Sequence, residues 1–240
     1  MSALNIRSMK LRDQAYDAFT RALLDRRLLP GEFVTQRELV ALTGLPLGPV
    51  REMIPRLEAD GLIRAIPQRG LQVAPVDLRL VREAFQLREI VETAALAHFV
   101  HAAADAEIDA LRADHARVQD AARGGITPAL LAEAQAVDWR FHDAVVAGMG
   151  NHLLGEVHRV NVVRIRVIMQ DRAALSAEAL PPAFAEHGAI LAAIRRRDPA
   201  TAVAALRAHI GSARRRALGL DLVQGDGAPA RHIKPGRKKA

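Results

Sequence analysis

Four side chains in the second half of the chain have the residue types and spacing of metal ligands. Asp138 and His142 lie four residues apart in a helical stretch, so both project from one face about one turn apart. His187 and His209 lie in two later helical stretches, each beside apolar residues. One carboxylate and three imidazoles that meet in the core of a helical bundle would suit a borderline divalent ion, with zinc preferred over nickel or manganese.

The same spacing has a simpler explanation. The chain has nine histidines, and an Asp/His pair four residues apart is more often a surface hydrogen bond than half of a metal site. On spacing alone, the metal site is therefore the minority interpretation. The remaining histidines follow no ligand pattern, and we expect them to be surface or packing residues: His98, His101, His115, His152, His158 and His232.

The elements that must position the four candidate ligands are helices. Glycines, prolines and short polar segments interrupt the region after residue 77 and predict six helices, at about 77–103, 105–123, 128–148, 151–173, 181–197 and 199–219. Their short connections favour an antiparallel six-helix bundle. A segment of about 140 residues is long enough to bury its own core.

The N-terminal part of the chain has the pattern of a winged helix-turn-helix. Thr35 and Glu38 fit a capping box that begins a helix, and Gly44 ends that helix. A second apolar period starts at Val50 and ends at Gly61, and two short strands then flank a Pro-Gln-Arg-Gly turn. The fold class is therefore mainly α, with a small β-hairpin wing. This arrangement places its second helix in the major groove of DNA.

We expect three parts in the chain: a DNA-binding domain at 1–75, the helical bundle at 76–220 and a disordered basic tail at 221–240. An amphipathic helix over Lys10–Arg27 should brace the helix-turn-helix after a loose lead-in at Met1–Ser8. The net charge of +7 divides into +3, +1 and +3 over the three parts. Basic charge therefore lies where it can meet DNA phosphates.

Composition excludes several classes of protein. Hydrophobic residues make up 50% of the chain and aromatic residues only 3%, which favours helices. There is no cysteine, so neither a disulfide framework nor a thiolate metal site can form. No apolar run approaches the roughly 20 residues of a membrane span, and charged residues interrupt the N-terminus where a signal peptide would be apolar. We therefore expect a cytoplasmic protein without membrane contact.

The N-terminal domain resembles the DNA-binding domain of the GntR family of bacterial transcription regulators. The matching positions are Pro30-Gly31, Glu38-Leu39, Gly44, Pro49-Val50-Arg51-Glu52, Leu57, Gly61-Leu62 and Arg69-Gly70. The resemblance implies that Arg37 and Arg51 contact DNA and that Gly70 lies in the wing, whose tip carries Arg69. It also implies a homodimer that binds a palindromic operator.

Two departures from the family pattern fall on the recognition helix. Pro46-Leu47-Gly48 replaces a Ser-Arg-Thr-like run, which removes a capping Ser, an Arg and a Thr hydroxyl. Pro55 lies inside the helix, where the missing amide hydrogen and the ring should cause a kink that costs roughly 3 kcal/mol. A ligand-binding dimer with poor DNA affinity is therefore one alternative.

The helical bundle resembles the FCD effector domain of the FadR branch of the same family. The resemblance rests on DWRFHDAVVAGMGN (138–151), AFAEHGAILAAIRRRD (183–198) and AVAALRAHI (202–210). Metal-binding members use an Asp-x-x-x-His pair followed by two further histidines, and Asp138, His142, His187 and His209 match all four positions. Six effector helices resemble the VanR-type subgroup.

The resemblance further implies an effector. Effectors of this branch are often small carboxylates that complete the coordination of the metal, and an Arg can hold such a group bidentately. Arg88 is the best candidate and Arg164 the second. For both, a salt bridge to Glu92 or a surface position is the other interpretation.

We therefore predict a transcription regulator, not an enzyme, whose operator affinity responds to a small carboxylate bound at a divalent metal. A purely structural metal is one alternative. The other is a metal-dependent enzyme that acts on a small organic acid and carries a fused DNA-binding domain. Against the enzyme, the chain has no His-Glu-x-x-His motif.

Overall fold

The computed structural model describes residues 3–220 and the side chains of residues 10–220. Nine α-helices and a three-stranded antiparallel sheet make up the described part, which confirms the mainly α fold class. Within these residues, no helix is both long enough and apolar enough to cross a membrane. The predicted basic tail, 221–240, lies outside the described residues.

The N-terminal domain follows the predicted order of elements. Its core is formed by apolar side chains from all three helices and the sheet, among them Phe19, Leu39 and Leu57, which are fully buried. The elements are α1 (Ala3–Leu24), β1 (Phe33–Val34), α2 (Gln36–Thr43), α3 (Leu47–Ala59), β2 (Ile63–Ile66) and β3 (Gly70–Val73). Helix α1 begins at Ala3, so the prediction of a loose lead-in up to Ser8 is wrong. Neither Pro nor Gly interrupts residues 3–9, and the helix can therefore start early.

The helix-turn-helix has the caps that the sequence predicts. The Thr35 side chain accepts the Glu38 amide hydrogen, and the Glu38 carboxylate accepts the Thr35 amide hydrogen at 2.7 Å, which completes the capping box. Gly44 ends α2 in the left-handed conformation, with φ of 68°. Pro46 precedes α3 and provides no side-chain cap, as expected. Helix α3 continues through Pro55 to Ala59, so this proline does not end the helix.

The wing is a hairpin with one additional strand. Strands β2 and β3 pair antiparallel, and Ile66 lies opposite Gly70 across a turn in which Gly70 has a φ of 92°. Strand β1 pairs with the other edge of β3, with Val34 opposite Leu71. Sequence analysis missed β1 because two residues are too few to show an alternating pattern.

The second half of the chain forms the predicted six helices, each ending within two residues of its expected limits. Large apolar side chains such as Phe85, Phe99 and Phe141 form a fully buried core. Asp77 caps the first of these helices, because its carboxylate accepts the amide hydrogen of Leu80. The helices are α4 (Leu78–Ala102), α5 (Asp105–Arg123), α6 (Pro128–Ala147), α7 (His152–Arg172), α8 (Leu180–Arg195) and α9 (Pro199–Ala217).

Helix α7 joins the bundle to the N-terminal domain. Its Val163 is buried in the core of that domain. The Arg164 guanidinium donates to the carbonyl oxygen of Asp60, the residue that ends α3, at 2.5 Å. Gln170 donates to the carbonyl oxygen of Leu24 at the end of α1, at 2.7 Å. One helix of the bundle therefore contacts both the recognition helix and the bracing helix.

Candidate metal centre

The structure brings all four predicted ligands together. Asp138 and His142 come from α6, His187 from α8 and His209 from α9, and each offers an atom that lies within 4.8 Å of the others. The Nε2 atoms of His187 and His209 are 3.1 Å apart, and Asp138 Oδ1 is 3.4 Å from His187 Nε2. The three histidines are buried, whereas Asp138 is partly exposed.

Two of the three imidazoles donate to a carboxylate behind them. Nδ1 of His142 lies 2.7 Å from Glu92, and Nδ1 of His209 lies 2.8 Å from Glu186. Burial raises the pKa of both carboxyls, but Arg88 and His142 together outweigh it at Glu92. At Glu186 the hydrogen bonds from His209 and Ser212, together with the nearby positive charges, outweigh it, so both pKa values are lowered. An ionised carboxylate only accepts hydrogen bonds. Both rings therefore carry hydrogen on Nδ1 and direct the Nε2 lone pair into the cluster.

The third imidazole has a histidine behind it instead. Nδ1 of His187 lies 2.9 Å from Nε2 of His115, and Nδ1 of His115 lies 2.7 Å from the carbonyl oxygen of Leu111. Sequence analysis placed His115 among the packing histidines and missed this contact. The sequence did indicate that His115 is buried, because Ile108, Leu111, His115 and Val118 follow each other at steps of three and four on one face of α5.

The donor set fits a divalent cation. Burial lowers the pKa of His142 and takes the pKa of His187 well below its ordinary value, which favours the neutral rings that a metal ion needs. Nε2 of His142 is buried without a hydrogen-bond partner. Zn–N bonds of about 2.0–2.1 Å put two donors of one tetrahedral ion about 3.3 Å apart. The Nε2 atoms of His187 and His209 are 3.1 Å apart, which is close to this distance. A cation between the two atoms would remove the repulsion between their lone pairs.

A cavity that is partly open to solvent adjoins the cluster. Arg88 lines this cavity, where an effector-binding residue is expected. It also forms a buried salt bridge of 2.9 Å with Glu92, which was the other interpretation of this arginine. Two further polar atoms on the cavity wall are buried without a partner, Oδ1 of Asn161 and Nε of Arg166. Sequence analysis missed both, since their isolated positions on α7 carry no pattern.

Comparison with known proteins matches each half of the chain to a known protein family. Residues 11–73 match the family of bacterial regulatory proteins called gntR, and residues 83–212 match the FCD domain. The chain belongs to the GntR family and carries an FCD domain. The family and the named relatives of this GntR protein are transcription regulators, not enzymes.

Two curated relatives and one solved structure illustrate the match. The HTH-type transcriptional repressor GlaR of Escherichia coli K12 is 28% identical over 185 residues, which cover 75% of this chain and 84% of GlaR. An uncharacterised HTH-type regulator of Streptomyces ambofaciens is 29% identical over 83% of this chain and 81% of its own. The fold matches McbR/YncC of E. coli with a TM-score of 0.67 at 19% identity, over 88% of this chain and 95% of that one.

Arg164 lies away from this cavity in this GntR protein, so its position does not support the prediction that it binds an effector. Its guanidinium donates to Asp60 and lies against Gly61 in the N-terminal domain, and it is not among the residues that line the cavity. The apolar stretch around it does point to a buried helix. However, α7 is covered by both domains, and sequence alone did not show which of its faces carries Arg164.

The residues predicted to contact DNA lie on the surface of the GntR domain. Arg37 is exposed near the start of α2, and Arg51 is exposed on α3, where its Nε donates to Gln36 at 2.8 Å. Arg69 stacks on the Phe33 ring at 4.1 Å, beside Gly70 in the wing. Each cationic side chain is available to a phosphate or a base edge. Their roles in DNA binding stay predictions.

Proposed function

We propose that this transcription regulator binds a small carboxylate at a divalent metal ion, held by Asp138, His142, His187 and His209, and that this binding controls its affinity for operator DNA. The observation that carries the proposal is the convergence of three imidazole lone pairs and one carboxylate within 4.8 Å. Zinc suits three nitrogens and one oxygen best, with nickel or manganese as the alternatives. The bound ion would supply a Lewis acid that attracts an anionic oxygen.

The charges of the cavity support an anionic effector. The charged residues that line the cavity are Arg88, Arg166, Arg216, Glu92, Asp138 and Asp143. The charges of the three arginines and the three carboxylates cancel, so a divalent ion would leave an excess of two positive charges. A bound carboxylate would compensate half of this excess. Arg88 is paired with Glu92, and Nη2 of Arg166 is paired with Asp143 at 2.9 Å, but Nε of Arg166 has no hydrogen-bond partner and can donate to a bound anion. Arg166 therefore replaces Arg164 in the proposed effector site, together with Arg88.

Helix α7 supports a route from the cavity to the DNA-binding domain. Asn161 and Ile165 line the cavity, whereas Val163 and Arg164 on the same helix contact the N-terminal domain. A ligand that moves α7 would change the position of α3 through Asp60. Coupling of this kind is typically about 1–3 kcal/mol, and it requires that DNA alter effector affinity by the same factor.

Three further properties belong to the same proposal. GlaR is named as a repressor, which supports repression as the mode of action. A symmetric homodimer would present two recognition helices to a palindromic operator. A regulator of bacterial genes would act in the cytoplasm. The VanR-like subgroup stays a prediction.

The test combines metal analysis with DNA binding. We would measure zinc content and fluorescence-anisotropy titrations with the DNA upstream of the protein's own gene, at two salt concentrations. The proposal predicts stoichiometric metal in the parent, less metal in His142→Ala, and tight sequence-selective DNA binding by both. Weak and strongly salt-dependent binding to every DNA sequence would indicate that the protein contacts only phosphates. It would favour the alternative in which α3, with its Pro46 start, no longer reads DNA.

A further inference from the structure

We propose that His115 is a positioning residue for the metal ligand His187. Its ring fixes the tautomer in which Nε2 of His187 has a free lone pair directed at the ion. The inference rests on the proposed metal site and adds a residue from α5, a helix that contributes none of the four ligands.

The direction of the two hydrogen bonds follows from their last acceptor. The carbonyl oxygen of Leu111 can only accept, so the hydrogen on the His115 ring is at Nδ1. The Nε2 atom of the neutral ring is then an acceptor, and Nδ1 of His187 must donate to it across 2.9 Å. His187 keeps no hydrogen on Nε2, the atom that lies 3.4 Å from Asp138 and 3.1 Å from Nε2 of His209.

Packing holds the His115 ring in the required orientation. The ring contacts Phe141 edge-on, with centroids 5.7 Å apart, and lies 5.3 Å from the Phe184 ring. Only 3% of His115 is exposed. Since Phe141 precedes the ligand His142 and Phe184 lies one turn before His187, the same helices position both the ligands and His115.

The partner of His187 differs in kind from those of the other two ligands. His142 and His209 donate to the carboxylates Glu92 and Glu186, which accept in any protonation state of the ring. His115 accepts at a single atom, and only in one tautomer. Without that acceptor, the Nδ1 hydrogen of His187 would be buried and unpartnered, or it would move to Nε2 and block the metal. Loss of such a partner typically weakens metal binding about 10–100-fold.

The experiment measures Zn²⁺ affinity of the full chain by competition with a chromogenic chelator. His115→Phe keeps an aromatic ring between Phe141 and Phe184 but removes the acceptor, whereas His115→Gln retains an amide oxygen near the position of Nε2. We expect affinity to fall about 10–100-fold in His115→Phe and to return to within a few-fold of the parent in His115→Gln. His98→Phe, at an exposed position on α4, is the matched control and should bind as the parent does.

A spectroscopic measurement separates hydrogen bonding from general damage to the fold. In the Co²⁺-loaded parent, each ligand imidazole should give a slowly exchanging, paramagnetically shifted Nδ1–H signal. His115→Phe should lose or broaden the His187 signal and retain those of His142 and His209. Loss of all three signals in His115→Phe, accompanied by loss of the helical circular dichroism signal, would show that His115 supports the fold as a whole. This result would overturn its specific role in positioning His187.

Two outcomes distinguish the possible failures. Parent-like zinc affinity in a folded His115→Phe protein would overturn the positioning role and leave the metal site standing. Equal loss in folded His115→Phe and His115→Gln would show that ring shape matters and not the accepted hydrogen bond, which also overturns the inference. If the parent itself binds no Zn²⁺, the proposed metal centre is wrong, and the positioning role of His115 fails with it.

Discussion

Replacement of Glu92 by Gln tests the polar network behind the metal site. Glu92 is 1% exposed and joins two elements of the site, because one carboxylate oxygen pairs with Arg88 at 2.9 Å and the other accepts from His142 at 2.7 Å. The Glu92→Gln side chain has nearly the same shape. It lacks the charge, and its amide nitrogen cannot accept from either partner.

The expected cost follows from the burial of this pair. Removal of one partner of a buried ion pair typically destabilises a protein by about 3–5 kcal/mol, because the other charge is left without compensation. The amide oxygen of Glu92→Gln can still accept from Arg88 or from His142, so we expect a cost at or just below the lower end of this range, about 2–3 kcal/mol. The matched control is Glu83→Gln, on the same helix, whose partner Arg79 lies 3.7 Å away in an exposed pair. An exposed pair of this kind contributes about 0–1 kcal/mol.

The assay is urea unfolding of chelator-treated parent and variants between pH 3 and 8, so that metal binding does not contribute. The folded pKa of Glu92 lies below that of the unfolded chain. Its contribution is therefore complete above the ordinary glutamate pKa, near 4.3, and falls as pH decreases below that value. In that range the parent should lose its advantage over Glu92→Gln by up to about 1.4 kcal/mol per pH unit.

Two results would contradict a stabilising role for the buried charge of Glu92. One is a difference between Glu92→Gln and the parent that is no larger than the difference for Glu83→Gln. The other is a difference that stays constant from pH 7 to pH 3, since the deficit of Glu92→Gln would then not depend on the negative charge of Glu92.

The remaining predictions concern DNA and metal. Arg51→Ala should weaken operator binding at least tenfold and leave zinc content unchanged; equal affinity at matched salt would contradict this. His142→Ala should lower zinc content and leave DNA binding without effector largely intact, and unchanged metal stoichiometry would refute the ligand assignment. Arg164→Met should leave zinc affinity unaltered and change operator affinity through the lost bond to Asp60, as anisotropy titration would detect; unchanged operator affinity would contradict this role of Arg164.

Much of the candidate metal site was predictable because its signals are local or carried by the family resemblance. Asp138 and His142 share a helix face by spacing alone, and the resemblance supplied His187 and His209. Their convergence needs three helices to pack, and only the structure provides the distances. The capping box at Thr35 was predictable for the same reason, since both of its hydrogen bonds join residues three apart.

The features that sequence analysis missed depend on contacts between distant segments. His115 lies 72 residues before its partner His187, and nothing in either segment indicates the pairing. Arg164 was misplaced because both faces of α7 are covered, one by the cavity and one by the N-terminal domain. Asn161 and Arg166 line the cavity as single residues, without spacing that marks them as ligand contacts.

The most direct test of the account is a titration of chelator-stripped full-length protein with Zn²⁺, carried out for the parent and for His187→Ala in parallel. The cluster of Asp138, His142, His187 and His209 predicts saturable binding of one ion per chain by the parent, and much weaker binding by the variant. Absence of saturable binding by the parent, or the same isotherm for both proteins, would contradict a metal-centred effector site.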